Sequence, residues 1–110
     1  MIELSQHIEV LLLENDCVIV PGLGGFVAHY TPAIQVEENM FLPPTRTIGF
    51  NPQLKLNDGL LVQSYMAVYD TNFSDASKIV EDEVSELIIM LHKEGKVDLD
   101  NVGEIRYTIH

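Results

Sequence analysis

The chain has 110 residues, enough for one compact domain or for two small modules sharing a core. Apolar residues make up 46% and charged residues 21%, which excludes a disordered chain. Seventeen Asp and Glu stand against six Lys and Arg, a net charge of −11, which excludes a surface built as a whole to attract phosphate backbones or anionic membranes.

Residues 2–14 carry Leu4, Ile8, Leu11 and Leu12 at helical spacing and predict an amphipathic helix. Ser5 is its expected cap, Ile8 to Leu13 its buried face, and Asn15-Asp16 its stop. Cys17-Val18-Ile19-Val20 predicts a strand. The lone cysteine forms no intrachain disulfide and reads as a buried thiol in a reducing compartment. Pro21-Gly22-Leu23-Gly24-Gly25 is a turn, and Phe26 to Tyr30 returns as the second strand of a hairpin. Residues 31–45 contain Pro32, Pro43, Pro44 and the run Glu37-Glu38-Asn39, and predict a protruding arm or long loop. Arg46 to Asn51 is a third strand, closed by Pro52.

Asn57 or Asp58 is expected to cap a helix reaching Val68, with Leu60, Leu61, Ser64, Tyr65 and Val68 on one face. Ser74 is expected to cap a longer helix over 75–93. Its apolar positions, Ala76, Ile79, Val80, Val84, Leu87, Ile88 and Leu91, recur every three or four residues, and Gly95 stops it. Residues 96–99 and 104–109 predict a second hairpin around Asp100-Asn101-Val102-Gly103. The N-terminus has no basic region ahead of an apolar stretch, and no apolar run approaches the ~20 residues that span a bilayer. Because residues 107–110 read as the middle of a strand, the chain is expected to be a fragment.

The helix–strand–turn–strand pattern occurs twice. Val18 to Phe26 aligns without gaps on Val97 to Ile105, a constant offset of 79 residues. Extended backwards, the same offset pairs Ile8 with Leu87 and Leu12 with Leu91. Gly24 and Gly103 are the identical turn residues, as a tight strand-to-strand turn with positive φ requires.

These elements resemble the HU/IHF family. Residues 57–108 are similar to its N-terminal half: helix, capped turn, longer helix ending in Gly, then a hairpin. Gly22-Leu23-Gly24-Gly25-Phe26 is similar to the family's Gly-Phe-Gly-Thr-Phe turn. Phe50-Asn51-Pro52 looks like its Phe-x-Pro segment before the last helix. More narrowly, the chain resembles divergent tandem HU-like modules of bacterial envelope proteins, in which a membrane span and a peptidoglycan-binding SPOR domain follow. The resemblance implies an α+β fold of two helix–helix–β-hairpin modules, 1–56 and 57–110, with a protruding arm and a truncated second copy. It also implies a cytoplasmic location, and peptidoglycan contact only through a further domain.

One departure bears on function. The arm of DNA-binding relatives is rich in Arg and Lys, with a Pro at its tip that wedges between bases. Residues 31–45 here contain neither Lys nor Arg. Nucleic acid is therefore not the expected partner, and an HU-like DNA-binding protein is the alternative reading. Gly22, Gly24, Gly25, Phe26 and Gly103 are expected to be structural turn residues. The Gly run lacks the Lys-Ser/Thr of a P-loop and precedes a strand. His7, His29, His92 and His110 have no metal-ligand spacing, and Glu81-Asp82-Glu83 with Glu86 reads as a solvated helix face. No cofactor and no catalytic constellation is expected. Met40-Phe41-Leu42-Pro43-Pro44 either folds back on the core or, with Arg46, forms an interaction arm anchored by Phe41 and Leu42. The expected function is a non-catalytic interaction or assembly domain that binds a protein partner or itself.

Overall fold

The apolar periodicities resolve into three helices and seven strands among residues 4–106, the residues described by this computed structural model. Helix α1 (Leu4–Glu14) buries Leu4, Ile8 and Leu12, each four residues from the next. Ser5, expected as a cap, lies inside this helix and is buried. Asn15 closes α1: its backbone N–H and its side-chain Nδ2 each donate to the Leu11 carbonyl at 3.0 Å.

Strands β1 (Cys17–Val20), β2 (Gly24–Thr31) and β5 (Thr45–Asn51) form an antiparallel sheet in the order β1-β2-β5. Between β2 and β5 the chain leaves the sheet as a separate ribbon of β3 (Ile34–Glu37) and β4 (Met40–Leu42). Helices α2 (Leu60–Tyr69) and α3 (Phe73–Glu94) follow, and then the hairpin of β6 (Lys96–Leu99) and β7 (Gly103–Arg106). Residues 107–109, expected to continue that last strand, lie outside the described residues, as does His110.

The internal repeat holds at the level of backbone geometry. Val20 pairs with Gly24 and Leu99 with Gly103; Val18 pairs with Phe26 and Val97 with Ile105. Each hairpin closes with a 3.0 Å bond, from Leu23 N–H to the Val20 carbonyl and from Val102 N–H to the Leu99 carbonyl. The third turn residue is left-handed in both, Gly22 at φ 84° and Asn101 at φ 62°. Gly24 and Gly103 share φ values of 153° and 145°, which side-chain-bearing residues rarely adopt.

Three local expectations need correction. The cap of α3 is Asn72, whose Oδ1 accepts from Asp75 N–H at 2.8 Å; Ser74 already lies within the helix. At α2 the capping position is Gly59, at φ 75° with no side-chain bond of its own. Asn57 and Asp58 instead accept from the Gly59 and Leu60 N–H groups at 2.9 and 3.1 Å. The second Asp58 oxygen accepts from Ile19 N–H at 3.1 Å and ties the start of α2 to β1. Finally, the helix–helix–hairpin order holds for α2-α3-β6-β7, whereas among the described residues one helix, α1, precedes the first hairpin.

The two halves share one core. Ile8 and Leu12 of α1 and Val18, Val20 and Phe26 of the sheet form a continuous cluster with Leu61, Tyr65, Val80, Val84, Val97 and Ile105. Each such aliphatic side chain contributes about 1.5–3 kcal/mol relative to exposure. Val84 of α3 also lies 3.7 Å from where a Cβ on Gly22 would sit, so the first turn packs on the second module's long helix. The molecule measures 56 × 37 × 26 Å, and its radius of gyration of 16.3 Å exceeds the roughly 13 Å of a compact domain this size. The ribbon accounts for an extension of this kind, since all its residues are exposed.

Candidate functional site

The alternation Ile34-Gln35-Val36-Glu37 suits a strand, and the chain returns through Met40-Phe41-Leu42. Ile34 faces Leu42, Gln35 faces Phe41, and Glu37 faces Met40, with a bulge between Gln35 and Glu37. The tip is Glu38-Asn39, fastened by Gln35 Nε2 donating to the Glu38 carbonyl at 3.2 Å. Pro32 and the Pro43-Pro44 pair stand at the base of the ribbon, between it and the β2–β5 ladder. They lack N–H groups and cannot extend that ladder, so the ribbon departs from the sheet at this point.

The Met40-to-Pro44 segment does not fold back on the core. Ile34, Val36, Met40, Phe41 and Leu42 are between 49% and 60% exposed. Isolated exposed apolar residues are ordinary, but here five gather on one two-stranded ribbon, with Ile34 and Leu42 paired on one face and Phe41 on the other. Its charged groups are Glu37 and Glu38.

Arg46, grouped with the arm in the sequence reading, works within the chain. It sits on β5 opposite Tyr30, with its guanidinium carbon 5.6 Å from the Tyr30 ring centre. Its Nη2 donates to the carbonyl of Leu12, one of the last four of α1, which have no partner inside the helix. Arg46 therefore caps a helix whose last turn holds no basic residue of its own.

The glycine turn packs against protein. A Cβ on Gly24 would lie 2.7 Å from Phe50 Cζ and 2.8 Å from both Asn51 O and Pro52 Cα. One on Gly25 would lie 2.8 Å from Leu54 Cβ and 2.9 Å from Ile19 Cδ1. The Phe26 and Phe50 rings meet at 5.0 Å and 53°. These residues let the 50–54 segment close over the turn. Gly103, by contrast, has nothing within 4 Å of a built Cβ.

Between the helices lies a polar group that sequence reasoning missed. His7 is 2% exposed, stacks on Tyr65 at 3.8 Å and 16°, and shares a 2.8 Å hydrogen bond between Nδ1 and Ser64 Oγ. Tyr69 continues the stack at 5.9 Å from Tyr65. Burial holds the His7 pKa below its ordinary value. Burial, and after it the Glu83 carboxylate, push the Tyr65 phenol well up. Placing Ser64 and Tyr65 on the inner face of α2 was legible; pairing them with a residue 57 positions away was not. The Cys17 thiol is half-buried, and burial followed by the Asp58 charge raises its pKa, the reverse of what activates a nucleophilic cysteine. Among the described residues, His29 and His92 are exposed, and no group of three or more His, Cys, Asp or Glu is placed to hold a metal ion. No helix among them is long and apolar enough to cross a membrane.

Residues 1–58 match the family described as CCDC81-like prokaryotic HU domain 1, and residues 59–110 match CCDC81-like prokaryotic HU domain 2. No curated protein and no solved structure matches the chain.

Proposed function

The chain belongs to the CCDC81-like prokaryotic HU domains, with the first and second domains in tandem, and we propose that it is a non-catalytic interaction module whose arm contacts protein. The observation that carries this reading is the chemistry of the arm. Residues 31–45 have no Lys or Arg, the tip is acidic, and five apolar side chains face solvent along the ribbon. A ribbon that grips DNA works through cations, and about six to ten phosphate contacts need at least as many. This chain has six Lys and Arg in all. Arg46, nearest the arm, is bound to the end of α1, and Arg106 pairs with Glu104 at 2.7 Å. Fold likeness to DNA-binding relatives is by itself a weak warrant for their function. A catalytic reading finds little support, since Cys17 is held as a thiol and His7 turns Nδ1 onto Ser64.

The test is fluorescence anisotropy of a labelled DNA duplex titrated at low salt, where electrostatic binding is strongest. The expected result is no binding up to about 100 μM protein, the weak end of ordinary non-specific affinity. Salt-sensitive binding below that concentration would establish the DNA-binding alternative. The likeness to modules that precede a membrane span and a SPOR domain supports a cytoplasmic, envelope-linked setting. Recovery of the whole gene product in the soluble fraction of cells would count against it.

A further inference from the structure

We propose that α1 is a proton-sensitive latch: protonation of His7 shifts this helix towards an undocked state and frees Arg46 at the base of the arm. The proposal does not depend on what the arm contacts.

The seam between α1 and α2 holds a polar group sealed from water. His7 is 2% exposed, its ring lies against Tyr65 at 3.8 Å, and Nδ1 shares a 2.8 Å hydrogen bond with Ser64 Oγ. Its Nε2 is buried and has no hydrogen-bond partner. His7 also lines an open cavity of about 380 Å³ along the seam, with Glu9 and Val10 of α1 and Ser64 and Val68 of α2, so the two helices are not close-packed there. The titratable groups around His7 are Glu9, on the same cavity, Tyr65 and Tyr69 from α2, and Glu83 from α3, beside the Tyr65 phenol. None of them accepts a hydrogen bond from Nε2.

A neutral imidazole fits this site, whereas an imidazolium carries N–H groups at both nitrogens and has an acceptor for one. The Tyr65 face attracts a cation, but burial without water or an acceptor prevails and holds the His7 pKa below its ordinary value. Undocking hydrates the ring, so the open state takes up the proton first. Its population rises by up to about tenfold per pH unit below about 6.5, until docked His7 is itself protonated. Leu4, Ile8 and Leu12 are buried in the docked form and keep it dominant at neutral pH. The proton therefore changes how often α1 opens, and the opening is local.

The other end of α1 carries the consequence. Arg46 is held there by the Leu12 carbonyl, and its own Nε is buried without a partner. When α1 leaves, that bond is lost and the guanidinium meets water. Arg46 pairs with Tyr30 one rung from Thr31 and Thr45, where the ribbon departs. Opening thus frees a cation at the foot of an arm that has none of its own.

Native-state amide exchange of the full chain, followed by NMR at about pH 7, 6 and 5 and expressed as protection factors, tests this. Protection at Ile8, Leu11 and Leu12 should fall by up to about tenfold per pH unit below about 6.5, while Val84 and Leu87 of α3 keep theirs. Arg46 Nε–H should lose protection in step with α1. His7→Gln, neutral throughout this range, should abolish the pH dependence. Loss of protection in α1 and α3 together overturns the proposal, as does a pH dependence that survives in His7→Gln. So does an Arg46 Nε–H that stays protected while α1 opens. Should His7→Gln fail to fold, the ring titration of His7 in the wild type decides: a value at or above about 6.5 overturns the latch, and a lower one supports it.

Discussion

Alanine at Gly24 should destabilise the fold far more than alanine at Gly103, although the two glycines are equivalent in the repeat and nearly identical in backbone angle. Both sit at φ near 150°, 153° and 145°, where a side chain adds strain of about 1–3 kcal/mol. At Gly103 nothing lies within 4 Å of the new methyl, so strain is the whole cost. At Gly24 the methyl would fall within 3 Å of Phe50 Cζ, Asn51 O and Pro52 Cα, two of them backbone atoms that cannot rotate away. Overpacking of this kind adds about 1–3 kcal/mol. Gly24→Ala should therefore exceed Gly103→Ala by about 1–3 kcal/mol, or roughly 4 °C in Tm per kcal/mol for a domain of this size. Gly25→Ala, which is not at positive φ, should show the overlap cost alone. Thermal and urea unfolding of the three variants measure this. Equal losses at Gly24 and Gly103 would refute the reasoning, because tertiary contact would then contribute nothing beyond the turn.

Three further outcomes follow from the same geometry. Arg46→Met should cost about 1–3 kcal/mol, since it orphans the Leu12 carbonyl and ends the contact with Tyr30; a change under half a kcal/mol on urea denaturation would dismiss the cap. Asp58→Ala should cost about 1–3 kcal/mol by leaving the Ile19 and Leu60 N–H groups without their acceptor, with accelerated amide exchange at Ile19 as the local readout. Because burial lowers the folded pKa of His7, the unfolded chain takes up that proton first as pH falls. The stability His7 provides is thus complete above about pH 6.5, the unfolded value, and declines below it. Wild type should lose more stability than His7→Leu between pH 7 and pH 5, and parallel losses would show that His7 is not held neutral.

Much of this arrangement was legible from residue order. Helical spacing located α1, α2 and α3, because a helix that buries one face must repeat its apolar residues every three or four positions. The offset of 79 residues anticipated matched hairpins, and the paired registers and left-handed turns agree with it. Cap identity was less legible. Asn72, Ser74, Asn57 and Asp58 are all good capping residues, and only the path of the chain selects among them. The ribbon carried a readable signal in Ile34-Gln35-Val36-Glu37, but the prolines around it pointed to a loop.

Composition and order by themselves determined the helices, the two hairpins and an arm without cations, since each depends on short-range spacing and side-chain charge. The tertiary structure alone decided that Arg46 belongs to α1 and not to the arm, that His7 meets Ser64 and Tyr65, and that Met40 to Leu42 stay in solvent. Each of those outcomes joins or separates groups distant along the chain. Such proximity is set by how the helices and sheet enclose a common core, which no local pattern encodes.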